Sequence, residues 1–406
     1  MATDAAALPH ERRAVLLISS AHAVSHLYAL MLIPLFPLLK TQLDVGFVQL
    51  GLAITIFNVV SVLTQTPAGV LVDRIGARKL LVAGLLLGGL AFALFAAVPT
   101  FPMLILATVL LGLANSVYHP ADYEMLSATV APSRAGRAFS YHTFSGYVGF
   151  AVAPPLMLWL STSFGLSAAL GAGALIGAVV ALPLLFAGDL DARAPLITVS
   201  DAAPVNLRAL LTPAILSLTF FFVFLSLSTS GIQNFSIPAL MSLHGLSQAL
   251  ANAALTAFLV GVAFGVLGGG LIADKTARHE DVAAAGYVAC AAMTFAIGAF
   301  NAGTVVTVGL MGAAGFCSGL IMPSRDMLVR KAAPAGAVGR TFGIVTTGLN
   351  IGGTIGPLAF GWLMDRGLPR DIYFAAAVLM LVTAFVPLLS TWMRRRSSPP
   401  MRAARV

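Results

Sequence analysis

The sequence predicts an all-α membrane protein, with twelve transmembrane helices arranged as two pseudo-twofold six-helix halves. Three observations carry that reading: the composition, the spacing of uncharged runs, and a repeat that divides the chain in two. Of 406 residues, 59% are hydrophobic and 9% are Asp, Glu, Lys or Arg, where soluble domains carry about 25% charged residues. A water-soluble enzyme and a disordered chain are both excluded. The formal charge of +8 comes from 23 basic and 15 acidic residues. Its cations stand singly between apolar runs and at the C-terminus, so no nucleic-acid partner is implied. Cys290 and Cys317 lie inside apolar runs, which implies neither a disulfide framework nor a cysteine metal site. The first apolar run is too long for a signal peptide and lacks a cleavage site.

The stretches free of Asp, Glu, Lys and Arg are 14–39, 45–72, 80–121, 138–188, 209–273, 282–324, 341–364 and 372–393. A helix needs about 20 apolar residues to cross the hydrocarbon core. The first two and last two runs therefore hold one span each. The other four hold two, divided by turn signals at 99–102, 161–165, 242–245 and 301–303. Twelve spans result, all helical, because lipid leaves backbone polar groups no outside partner.

An even number of spans puts both termini on one side. With the N-terminus inside, 19 of the 23 basic residues fall on inner segments. Lys40, Arg366 and Arg370 fall outside and Arg325 within a span. The excess of inner cations predicts cytoplasmic termini and a multi-pass protein of the inner (cytoplasmic) membrane. The stretch 188–208 is the one long polar interval between spans. It reads as a cytoplasmic linker between a bundle at 1–187 and a second at 209–406, which ends in a basic tail.

The halves repeat. Gly112 through Pro120 returns as Gly315 through Pro323, a shift of 203 residues. The same shift relates Gly136-Arg137 to Gly339-Arg340, and Gly149 and Pro154 to Gly352 and Pro357. After spans two and eight, Gly69 through Asp73-Arg74 pairs with Gly270 through Asp274-Lys275 at a shift of 201. Two parallel halves imply an axis along the membrane normal, a cavity between them near the midplane, and alternating access if they rock.

The segment Gly69-Val70-Leu71-Val72-Asp73-Arg74-Ile75-Gly76-Ala77-Arg78-Lys79 resembles the loop signature of the major facilitator superfamily. Ala77 departs from it, standing where a basic residue is frequent. The stretch 114–120, with Ser25-His26, is similar to fosmidomycin-resistance-type exporters. The resemblance implies the major facilitator fold, a cavity lined by spans one, four, seven and ten, and a loop that acts as a conformational latch. Gly69 and Gly76 belong to that signature. Asp73 is then expected to meet the positive N-terminal end of span eleven. Arg74, Arg78 and Lys79 are expected to pair with Asp122 and Glu124, and Asp274 and Asp326 supply further inner-side acids. Headgroup anchoring is the alternative role for these cations. Gly146 and Gly149 through Pro154-Pro155, with Gly348, Gly352 and Pro357, resemble an exporter-associated motif whose glycines pack the halves together on the outer side.

Ionisable groups within spans are costly in lipid and are candidates for function. They are His22, His26, His119, Asp122, Glu124, His142, Arg325 and Asp326. His26 and His119 are the proposed proton carriers, since imidazole changes charge near neutral pH; a neutral histidine bonded to a neighbouring helix is the alternative. His22 and His26 share a helical face and could chelate a metal, but no carboxylate lies near them in sequence, so no metal is expected. Arg325 reads either as a cation for an anionic substrate or as an inner-gate partner of Asp326 or Asp274. Tyr28, Asn58, Asn115, Tyr118, Gln233, Asn234 and Asn350 supply uncharged polarity to the predicted cavity.

The function these features predict is secondary active transport of a small organic molecule, as proton-coupled export. Uptake of an organic anion with protons is the alternative. Neither a nucleotide motif nor a catalytic constellation is present, so no enzyme activity and no cofactor are expected. The expected partners are a small-molecule substrate, protons and the lipid bilayer, and the expected state is a monomer.

Overall fold

The computed structural model describes residues 2–191, 211–334 and 337–397. Linker positions 192–208 and the tail residues Arg402 and Arg405 lie outside them. Twelve long helices follow in order: α1 (Ala2–Leu30), α2 (Phe47–Ile75), α3 (Ala77–Ala97), α4 (Phe101–Thr129), α5 (Pro132–Phe164), α6 (Leu166–Leu185), α7 (Pro213–His244), α8 (Gln248–Ala273), α9 (His279–Ala299), α10 (Thr304–Ala332), α11 (Val338–Asp365) and α12 (Pro369–Ser397). All four predicted turn signals mark junctions between helices, although 161–164 and 242–244 form the last turns of α5 and α7. Eleven spans are long and apolar enough to cross a membrane. The remaining helix, α11, has the length at 28 residues, but glycine and threonine dilute its hydropathy.

The first span runs beyond the uncharged stretch that predicted it. α1 ends at Leu30, a 3-10 turn takes Ile33–Leu35, and a short helix, Phe36–Leu43, completes the crossing. Pro34 and Pro37 sit in the first turns of the last two pieces, where a missing amide hydrogen costs least.

The packing follows the repeat. α1 lies on α5, α2 on α4, and α3 on α4 and α6; six helices later α7 lies on α11, α8 on α10, and α9 on α10 and α12. The two sets meet mainly along α2–α11 and α5–α8, two contacts that a twofold axis interchanges. The α8–α10 pair shows what drives close packing where lipid supplies no hydrophobic force. A Cβ on Gly265 would stand 2.2 Å from the carbonyl oxygen of Phe316, and one on Gly319 would stand 2.1 Å from that of Val262. The two backbones therefore touch.

Closure is one-sided. All but one of the described hydrogen bonds between the two sets lie toward the face opposite the termini. Thr55 donates to the Thr354 carbonyl at 2.8 Å, Asn58 to that of Gly353 at 2.7 Å, and Gln248 to that of Pro34 at 3.2 Å. At the very end of α11, Asp365 accepts from the amides of Phe47 and Val48. The exception is deeper, where the Tyr147 hydroxyl meets the Met322 sulfur at 2.8 Å. Toward the termini α2 and α11 diverge, and Gly69 and Gly343 both face open space.

Candidate functional site

Between the two sets of helices lies a cavity of about 440 Å³. Its walls come from α1 (Ser25, His26), α2 (Phe57, Asn58), α4 (Asn115, His119), α5 (Phe150), α7 (Ser226, Thr229, Ser230, Gln233, Asn234) and α11 (Asn350, Gly353). The predicted residues His26, Asn58, Asn115, His119, Gln233, Asn234 and Asn350 are thus brought together. Helices α2 and α11 line the cavity where the resemblance implied α10, because those two carry the contact between the sets.

Behind the α1–α4–α5 wall lies a buried histidine–aspartate cluster. Asp122 is fully buried; its Oδ2 stands 3.0 Å from His142 Nε2 and 3.2 Å from His22 Nδ1. The second contact is off hydrogen-bonding geometry, since His22 Nδ1 has no hydrogen-bond partner. The His22 and His142 rings stack at 3.7 Å, and His26 and His119 stand 4.5 and 5.2 Å from His22. Four imidazoles and one carboxylate therefore lie side by side from the protein interior to the cavity, with His142–Asp122 the hydrogen bond described among them. The premise that no carboxylate stands near His22 fails in three dimensions, because Asp122 arrives from another helix. His22, Asp122 and His142 offer three ligand atoms within 4.8 Å of one another.

The chain depends on glycine. A Cβ on Gly146 would meet His22 Nε2 at 2.9 Å, and one on Gly149 would stand 2.1 Å from the Ala23 carbonyl oxygen. Gly348 and Gly352 make the matching approach to Thr219 and Val223 of α7. These glycines close α1 on α5 and α7 on α11 within each set of six, which corrects the expectation that they pack the halves together.

Several predicted residues lie elsewhere. Tyr28 is buried against α6, its hydroxyl donating to the Gly173 carbonyl at 2.8 Å, away from the cavity. Tyr118 is 1% exposed and faces the α3–α4 seam, near Gly84. Arg325 does not line the cavity; its guanidinium donates to Asp326 at 2.9 Å and lies over the Phe222 ring.

At the loop, the described contacts of the cations lie elsewhere. Asp122 is unreachable from the loop because His22 and His142 enclose it. Arg78 instead forms a fork to Asp191 at 2.8 and 2.7 Å and caps the last carbonyls of α6 at Leu184 and Leu185. Its guanidinium holds the Asp191 carboxyl below the usual carboxylate range. Asp73, Arg74, Lys79 and Asp274 are exposed at the open face, Gly76 faces open space there, and Glu124 is half-buried.

Sequence reasoning missed Asp365 and the serine–threonine wall of α7. Gly46, the residue before α2, has no side chain to cap that helix; this signals that a cap must come from elsewhere but does not say from where.

Twelve helices in two interchangeable sets around a polar membrane cavity define a membrane carrier. The Major Facilitator Superfamily profile matches residues 18–230 and 216–405, and the chain belongs to that family of transporters, which are not enzymes. The chain is 26% identical to the fosmidomycin resistance protein of Escherichia coli over 269 residues, 64% of this chain and 65% of that one. It is 25% identical to the uncharacterized MFS-type transporter YfnC of Bacillus subtilis over 92% of this chain and 90% of that one. A segment covering 25% of the chain and 27% of its relative is 34% identical to the bacillibactin exporter of Bacillus subtilis. Among solved structures, a bacterial homologue of the human lysosomal transporter Spinster superposes with a TM-score of 0.80 at 14% identity, covering 96% of this chain and 99% of that one.

Proposed function

We propose that the protein exports a small organic molecule in exchange for protons, by alternating access. The observation that carries this reading is the imidazole–carboxylate chain leading from Asp122 to the cavity wall at His26 and His119. Imidazole can take up and release a proton, and the Asp122 carboxylate beside His142 can stabilise the charged form. The relatives named for fosmidomycin resistance and bacillibactin export support the outward direction. The opposite reading, uptake of an organic anion, calls for a cation at the cavity, and Arg325 is engaged by Asp326 instead.

In this reading the chain is a monomer in the inner membrane with cytoplasmic termini. The bundles at 1–187 and 209–406 move about the linker 188–208. The closed face is periplasmic and the cavity faces the cytoplasm. Asp73 engages the N-terminus of α11 when that face shuts, with Gly69, Gly76, Arg74 and Lys79 around it.

Everted vesicles with an acid interior and a pH-sensitive dye test the exchange. A compound that dissipates the gradient only when the protein is present supports it. Substrate accumulation accompanied by proton flow in the same direction would overturn it.

A further inference from the structure

We infer that the transported substrate is an uncharged, hydroxyl-rich solute, held by wall groups that both accept and donate hydrogens. This rests on the proposed transport at the same site and specifies what is carried.

The inference begins with what the wall lacks. None of its described residues is Asp, Glu, Lys or Arg, and in the proposed exchange His26 and His119 have given up their proton when substrate takes its place. An ion entering a low-dielectric membrane cavity without a countercharge loses hydration that nothing replaces. Arg325, a half-buried cation of α10, is paired with Asp326 and lies outside the lining.

The wall is polar nonetheless, and part of its donor set is committed. Ser25 donates to the His22 carbonyl at 2.8 Å, Ser226 to that of Leu349 at 2.7 Å, and Thr229 to that of Leu225 at 2.8 Å. A hydroxyl has one hydrogen, so these three groups can only accept from a ligand. Asn58 gives one amide hydrogen to the Gly353 carbonyl at 2.7 Å, which fixes its orientation and leaves its carbonyl oxygen as an acceptor. Carboxylates and phosphonates only accept when ionised, so they would leave these acceptors unpaired. Hydroxyl groups supply the missing hydrogens and accept from the remaining N–H groups. Gln233 and Asn350 line the cavity with no described hydrogen bond inside the protein, so their amides are available to a ligand in both senses.

The test is binding to the purified full-length protein in detergent, by calorimetry. Lactose and uridine serve as uncharged probes, gluconate and methylphosphonate as anions, and tetraphenylphosphonium as a cation. Binding is expected for an uncharged probe and is expected to weaken about five- to tenfold in Asn350→Ala, the effect of one ligand hydrogen bond. Gln233→Ala provides a second variant should the first fold poorly. Binding confined to charged probes, or none by either uncharged probe, overturns the inference. The same probes in the vesicle assay separate the two proposals. Proton exchange with methylphosphonate alone would retain proton-coupled export and remove this substrate class. An uncharged probe that binds and crosses without proton movement would do the reverse.

Discussion

The carboxylate of Asp365, the last residue of α11, accepts hydrogen bonds from the amides of Phe47 and Val48 at 2.7 and 2.8 Å, capping the first turn of α2 in the other half. Lys40 stands 3.8 Å from the same carboxylate. A helix N-terminus leaves its first amides unpaired and carries partial positive charge, so an acid there is stabilising. α2 and α11 run antiparallel, and the C-terminal acid of α2 is Asp73, at the opposite face. In the proposed cycle Asp73 takes the matching place at the N-terminus of α11, so that closing one face parts the other pair. That arrangement has two discrete states, as alternating access needs. Asp365→Ala is expected to shift the population toward opening at this face about fivefold, the effect of losing a cap worth about 1 kcal/mol. Spin labels at Thr41 and Arg370 would report it. An unchanged distance distribution would count against Asp365 as a gate.

The His142–Asp122 pair makes a different demand. Replacing Asp122 by Asn keeps the shape and removes the charge that stabilises an imidazolium beside it. Exchange driven by a pH gradient is expected to be lost, while exchange of substrate against substrate continues. His119→Ala should likewise abolish the pH dependence with the fold intact. A chelator such as EDTA should leave transport unchanged; inhibition that added zinc reverses would mean that His22, Asp122 and His142 hold a metal.

Much of this architecture was legible in the sequence for a physical reason. Lipid forces every span to be helical, and the twelve helices follow from the length of uncharged runs. The offset of 203 residues between Gly112–Pro120 and Gly315–Pro323 anticipated the paired contacts. The site was legible only in part. His26, His119 and Asn350 were read as cavity residues because polar groups in spans are rare. The union of Asp122 with His22 and His142 joins three helices, and spacing along one chain does not encode it. The glycines were visible too, but their partners were misassigned: Gly149 meets Ala23 of its own half.

That misassignment leads to a stability contrast. A methyl on Gly149 would overlap the Ala23 carbonyl, whereas Gly69 faces open space. Gly149→Ala should destabilise the protein by about 1–3 kcal/mol through overpacking. Gly69→Ala should leave stability unchanged or raise it slightly, since alanine favours the helix. Thermal denaturation in detergent compares them directly, and equal melting temperatures would contradict the α1–α5 contact described above.

The fork between Arg78 and Asp191 gives a prediction in pH. Its folded-state pKa is lowered, chiefly by the hydrogen bonds from Arg78. The stabilisation is therefore fully present above the ordinary carboxylate value near pH 4 and disappears as pH falls through the lower folded value. Both side chains are reached by solvent, Asp191 at 38%, so screening keeps the effect small. Asp191→Asn should lower the melting temperature slightly at pH 7, and the gap to the parent protein should close as the pH is taken well below 4. A gap that persists in acid would mean that the fork contributes through packing against α6 instead of through charge.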